Sequence, residues 1–192
     1  MGFWTESVGK DPKRQYRFIA QFSGLGGDCS WMVKNIDKPS VSLSEASHEY
    51  LNHTFYYPGR VTWNSVSVTL VDPVEPDATA TMMNAMFDAG YKIPKGYVNE
   101  DDLSTVSKSS ATSVLGEVVI RQIDSDGEDI EVWKLRNAWI KSVTLSGLDY
   151  SGDSLSEVTM ELRYDFASLV THGNTANGAL GENAGLWDLS ST

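Results

Sequence analysis

Residues 158–166 read Val158-Thr159-Met160-Glu161-Leu162-Arg163-Tyr164-Asp165-Phe166. Val158, Met160, Leu162, Tyr164 and Phe166 share one parity, and Thr159, Glu161, Arg163 and Asp165 share the other. A period of two turns the first set into a core and the second toward water, so this stretch predicts a strand with one buried face. Just upstream, Val118, Ile120 and Gln122 lead into Asp124-Ser125-Asp126-Gly127, and Ile130, Val132 and Lys134 return. Asp-Gly between two alternating runs predicts a hairpin, because glycine accepts the positive φ that tight hairpin turns demand. Residues 135–145 are apolar with a break at Asn137.

The N-terminal half follows the same rule. Tyr16, Phe18, Ala20 and Phe22 alternate with Arg17 and Gln21. Gly24-Leu25-Gly26-Gly27-Asp28 interrupts them, and Cys29, Trp31 and Val33 predict a second strand. Val41 and Leu43 predict a short strand before a polar stretch, Ser44 to His48. Leu51, His53, Phe55 and Tyr57 alternate up to an expected turn at Pro58-Gly59. Val61 to Val71 is dense in β-branched residues on both parities, which suits an interior strand. One helix is predicted: Asp77 caps it, Met82, Ala85, Met86 and Ala89 hold helical spacing, and Gly90 stops it. Residues 92–113 read as a long loop, residues 1–14 as an N-terminal arm and residues 169–192 as a C-terminal tail around a domain spanning 15–168. The sum is eight or nine strands and one flanking helix, a mainly β, antiparallel barrel or sandwich.

The 192 residues carry 15 Lys and Arg against 26 Asp and Glu, a net charge of −11. Phosphate repels such a surface, which argues against a protein that grips nucleic acid or an anionic membrane. Cys29 is the one cysteine, so no intrachain disulfide and no cysteine-rich zinc site can form. No apolar run approaches the length of a membrane-spanning helix, and the start of the chain has no signal-peptide pattern. These features read as a soluble, intracellular protein.

Each chemical motif has a plainer account. His48 and His53 are five apart, which matches neither the even spacing of strand ligands nor the three or four of a helix. Asp124 to Asp129 lacks the third oxygen ligand before Gly127, and Trp133 stands where a calcium loop wants glutamate. Gly24 to Gly27 lacks the following helix that a phosphate cradle uses. No catalytic residue, cofactor site or metal site emerges, and no enzyme is predicted. Met82, Met83, Met86 and Phe87 read as a helix face packed on a sheet. Trp4 and Trp187 are aromatic anchors in otherwise polar arms, a pattern that suits docking on another subunit.

Taken together, the chain resembles the tail tube proteins of contractile-tailed bacteriophages, to which type VI secretion tubes are similar. The resemblance runs over residues 15–168. It is carried by Phe18 to Trp31, Lys38-Pro39-Ser40-Val41, Trp63 to Pro73, Leu135 to Val143, Leu148-Asp149-Tyr150-Ser151 and Val158 to Phe166. It implies a non-enzymatic structural subunit that forms stacked rings, hexameric in the family, with a sheath, a baseplate and a tape-measure protein as partners. DNA would pass through an acidic lumen without specific binding. The expected location is the virion tail, assembled in the host cytoplasm. Segments at strand edges are expected to dock across subunits. The interface candidates are Trp4, Glu45, His48, Tyr50, Leu51, His53, Phe55, Tyr57 and Trp187. The alternatives are a baseplate or tail-end ring of the same fold, a β-sandwich binding module using Trp63 and Tyr97, and an enzyme with a site in 92–113.

Overall fold

A computed structural model describes residues 12–25, 27–92 and 105–171. The strands are β1 (Phe18–Phe22), β2 (Val33–Ile36), β3 (Val41–Tyr50), β4 (His53–Trp63), β5 (Val66–Val71), β6 (Val118–Ile123), β7 (Asp129–Arg136), β8 (Trp139–Leu145), β9 (Glu157–Arg163) and β10 (Phe166–Thr171). The helices are α1 (Ala78–Asp88) and α2 (Lys108–Leu115). One four-stranded sheet has the order β1-β6-β7-β10 and another the order β2-β5-β9-β8. β3 and β4 form a separate two-stranded ribbon. Every strand pair is antiparallel. The expected mainly β architecture is present as a sandwich-like pair of sheets, and no closed barrel forms among the described residues.

The core comes from alternating positions of both sheets. Val66, Val68 and Leu70 of β5 face the interior with Val158, Met160 and Leu162 of β9. Ala20, Phe22, Val118, Ile120 and Leu135 meet them from the other sheet. β5 is interior to its sheet, as its β-branched composition suggests. Asp77 caps α1 by accepting a hydrogen bond from the Ala80 N–H at 2.8 Å, and Gly90 takes φ 108° beyond its end. Asp72 also accepts from the Ala78 and Thr79 N–H groups, so the Asp-Pro turn fastens α1 to the end of β5. Met82 is buried, whereas Met83 and Phe87 stay exposed, so only part of the methionine patch packs inward.

Five expectations need correction. Residues Gly27–Met32 form a 3-10 helix, not a strand, because Cys29 and Met32 are buried three apart while Trp31 points outward. Ser44 to His48 lies inside one ten-residue strand, and Pro58-Gly59 lies inside β4. The ribbon is wet on both faces, so its polar residues do not mark a loop. Val61 to Val71 is interrupted by Asn64 and Ser65, which separate β4 from β5. Part of 92–113 is α2, with a capping box between Ser107 and Ser110. Its Ser and Thr content disguised it, since Ala111 and Leu115 are its buried residues. Finally, 158–166 is two strands: the chain breaks at Tyr164-Asp165, and β10 crosses to the other sheet. β10 then runs to Thr171, past the point where the alternation fades.

Two polar nodes hold the sandwich ends. Asp165 accepts from Lys108 Nζ at 2.7 Å and Asn137 Nδ2 at 2.8 Å, tying α2 to the β7–β8 and β9–β10 breaks. Asn137 itself has φ 54°, the left-handed conformation that asparagine tolerates. At the other end Glu131 is buried and accepts from Lys13, from Lys38 at 2.9 Å and from the Trp133 indole. Burial pushes its carboxyl upward, but these three donors outweigh it and hold the pKa at about 2 instead of 4.5. A depressed folded-state pKa gives stability that is full above 4.5 and is lost as pH falls through 2. Both lysines are half-exposed and screened, so the loss should be about 2 kcal/mol. Urea unfolding at pH 5 and pH 2.5 would measure it, and Glu131→Gln should flatten that part of the difference.

Candidate assembly surface

Among the described residues, the β3–β4 ribbon is the one strand pair outside the two sheets. Strands of ten and eleven residues make it roughly 33 Å long at about 3.3 Å per residue. Its root is fixed. Trp63 packs on Tyr164 with ring centroids 5.9 Å apart, and the Asn64 N–H donates to Ser40 O at 2.9 Å. Beyond the root every residue of β3 is exposed, and in β4 only Thr54 is partly covered. Both outer edges of the ribbon lack a strand partner among the described residues.

The pairing register sorts the side chains. Ala46 faces Tyr57, His48 faces Phe55, and Tyr50 faces His53. Antiparallel partners share a face, so these residues form one aromatic and histidine-bearing side. The His53 and Phe55 rings meet edge to face at 4.7 Å. Glu45, Ser47 and Glu49 lie on the opposite side with Pro58, Tyr56 and Thr54. Leu51, at the turn, has φ 52° and is 88% exposed. Thus all seven interface candidates between residues 45 and 57 come together on one ribbon. Trp4 and Trp187 lie outside the described residues. Sequence reading missed Val41, Leu43 and Val61, which are also exposed near the root. Val61 continues the parity of His53, Phe55 and Tyr57, whereas Val41 and Leu43 share the parity of Glu45.

A bulge between Leu43 and Glu45 re-aims the ribbon. There Ser44 Oγ accepts from the Arg60 N–H at 2.8 Å. A Cβ added at Gly59 would lie 2.2 Å from Ser44 Oγ and 2.9 Å from Ser44 O. Gly59→Val should therefore distort the bulge and weaken any self-association through the ribbon by about tenfold, while the core, which the ribbon meets through Trp63 at its root, unfolds at the same urea concentration. Sedimentation velocity and circular dichroism would read the two effects separately.

Other constellations carry less. His48 and His53 reach one face across the turn, but among the described residues no group of three His, Cys, Asp or Glu is placed to hold a metal. Trp63 is half-buried against Tyr164 rather than free in a loop, and Tyr97 lies outside the described residues with most of the segment where an enzyme site was considered. Cys29 is buried. No helix among the described residues is long and apolar enough to cross a membrane.

No protein-family model and no curated protein matches the chain. Solved structures do. The tube terminating cap of the anti-feeding prophage is 16% identical with a TM-score of 0.59, over 90% of this chain and 100% of that one. A chain in the sixfold-symmetrised baseplate of the same particle is 14% identical with a TM-score of 0.60, over 84% and 97%. The sheath-tube complex of the PVC extracellular contractile injection system, in its extended state, contains a chain 16% identical with a TM-score of 0.57, over 84% and 93%. The fold is therefore shared with chains of contractile injection particles, in agreement with the tail-tube resemblance.

Proposed function

We propose that the chain is a structural, non-enzymatic ring subunit of a contractile tail or injection particle, serving as a tube or tube-terminating component. The observation that carries this reading is the projecting β3–β4 ribbon. A two-stranded ribbon standing alone in water is marginal, and two open edges with exposed aromatic side chains are a hazard unless another chain covers them. The shared fold with cap, baseplate and tube-complex chains supports that other chain being a copy of this one.

The reading extends to stacked hexameric rings within a sheath, joined to a baseplate and threaded by a tape-measure protein. In a phage tail the bore conducts DNA, the particle is the virion, and assembly takes place in the host cytoplasm. The net charge of −11 supports that role, since a polyanion crosses an acidic bore without releasing counterions to hold it. Trp4 and Trp187 are proposed as further anchors between subunits. Negative-stain microscopy of the purified protein tests the reading: rings or tubes of constant width are expected. A monomer at high concentration across a range of salt would overturn it and favour the binding module.

A further inference from the structure

Residues 12–17 run across one sheet from β7 to β1 before β1 begins. The Arg17 N–H donates to Arg14 O at 3.4 Å, the Ile123 N–H to Arg17 O at 3.1 Å and the Gln122 amide to Arg14 O at 3.1 Å. Lys13 reaches the buried Glu131 of β7. Beside this strap lies a cavity of about 480 Å³, lined by Phe18, Ile36, Ile120 and Trp133 together with Lys13 and Lys38. Polar contacts therefore hold the strap, and apolar filling does not.

The same carboxylate serves a second segment. Lys38 donates to Glu131 Oε1 at 2.9 Å and to Gln122 Oε1 at 2.6 Å, while Lys13 takes Glu131 Oε2. Lys38 lies in the connector from β2 to β3, two residues before Ser40, whose carbonyl accepts from the Asn64 N–H at the ribbon root. Gln122 joins Lys38 to the strap a second time, accepting from the one and donating to the other. The Glu131 side chain is 8% exposed, whereas each lysine is half-exposed. Shielded from water, the carboxylate holds both ammonium groups firmly. With either segment lifted away, water reaches it and competes for the other.

We propose that Glu131 and Gln122 form a shared latch, which couples release of the N-terminal strap to release of the connector that leads into the ribbon. Coupling of this kind is reciprocal, so whatever frees one segment loosens the other by the same factor. The latch is a property of a single copy. For the ring subunit proposed above, and resting on that reading, a neighbour that captures either segment primes the other for the next contact.

Trypsin reads the strap directly, since Lys13, Arg14 and Arg17 lie in it and Pro39 blocks cutting after Lys38. In the full chain, Lys38→Met should speed cutting after Arg14 and Arg17 about fivefold, followed by the masses of the products. Cutting after Lys108 in α2 and Lys141 in β8 should not change. In return, Lys13→Met should speed hydrogen exchange at the Asp37 amide, which donates to Ser67 O at 3.0 Å, by a similar factor. Each variant leaves Glu131 one lysine and alters a half-exposed position, so the fold is kept. Unchanged strap cutting in Lys38→Met, or unchanged Asp37 exchange in Lys13→Met, would overturn the latch. So would equal acceleration after Lys108 and Lys141, which reports loosening of the whole domain. Each of these results leaves the ring-subunit reading standing, because microscopy tests that separately.

Discussion

Replacing Tyr50, Phe55 and Tyr57 together with serine should leave a folded chain that no longer assembles. The three rings share the aromatic side of a ribbon that meets the core through Trp63 at its root, away from all three. Their removal should therefore leave the unfolding midpoint and the β-rich circular dichroism nearly unchanged. Truncating a central aromatic anchor costs about 2 kcal/mol or more in a packed interface. Three such losses, even when far from additive, weaken association by at least about a thousandfold. Sedimentation velocity should then show a single slow boundary at concentrations where unmodified protein forms large species. An assembly curve that does not move would show that the aromatic face is not the contact. A collapse of the unfolding midpoint would show that the ribbon supports the core.

The second large effect is on the fold itself. Gly24 follows β1 at a place where two backbones touch. Its N–H donates to Leu115 O at 3.0 Å, and the Ser23 hydroxyl accepts from the Glu117 N–H at 2.7 Å. A Cβ at Gly24 would lie 1.9 Å from Val114 O and 2.7 Å from Val114 C. These are backbone atoms at the end of α2, so no side-chain rotation relieves the overlap. Gly24→Ala should cost about 3 kcal/mol by pushing α2 off the end of β1. Gly147→Ala is the control, because a Cβ there meets nothing within 4 Å and should cost less than about 0.5 kcal/mol. Urea unfolding of the two variants side by side would measure the contrast. It would also explain the glycine run that resembles a phosphate cradle: its first member is needed for close packing.

The strands that line the core were the readable part of the sequence. β5, β6 and β9 each have one dry face, so burial imposes the period of two that the residues display. α1 was equally plain, since Asp77 and Gly90 bracket it with cap chemistry. What stayed hidden had no such contrast. The ribbon is wet on both sides, so Ser44 to His48 reads as a polar stretch beyond a short strand and Pro58-Gly59 as a turn. α2 buries so little that its serines and threonines hide its period. The switch of sheets at Asp165 is invisible because Phe166 continues the parity of Tyr164 while belonging to another sheet. Of the assembly surface, the residue identities between 45 and 57 were legible, but their sorting into an aromatic and an acidic side was not. That sorting depends on the cross-strand register, which a bulge at Ser44 shifts and which no single strand encodes.

The ribbon borders, which have no strand partner among the described residues, would set a clock on every newly made copy of a subunit that assembles through them. If copies assemble through the ribbon, alternate residues of each strand, roughly five a side, offer their outward N–H and C=O groups to any extended peptide, kin or stranger, until a neighbour covers them. Rapid synthesis without an initiating platform would then fill the cell with tangled deposits, whereas a seed that captures copies as they fold would keep the free pool small. Yield of soluble material should thus depend less on how firmly the domain folds than on how soon it is used.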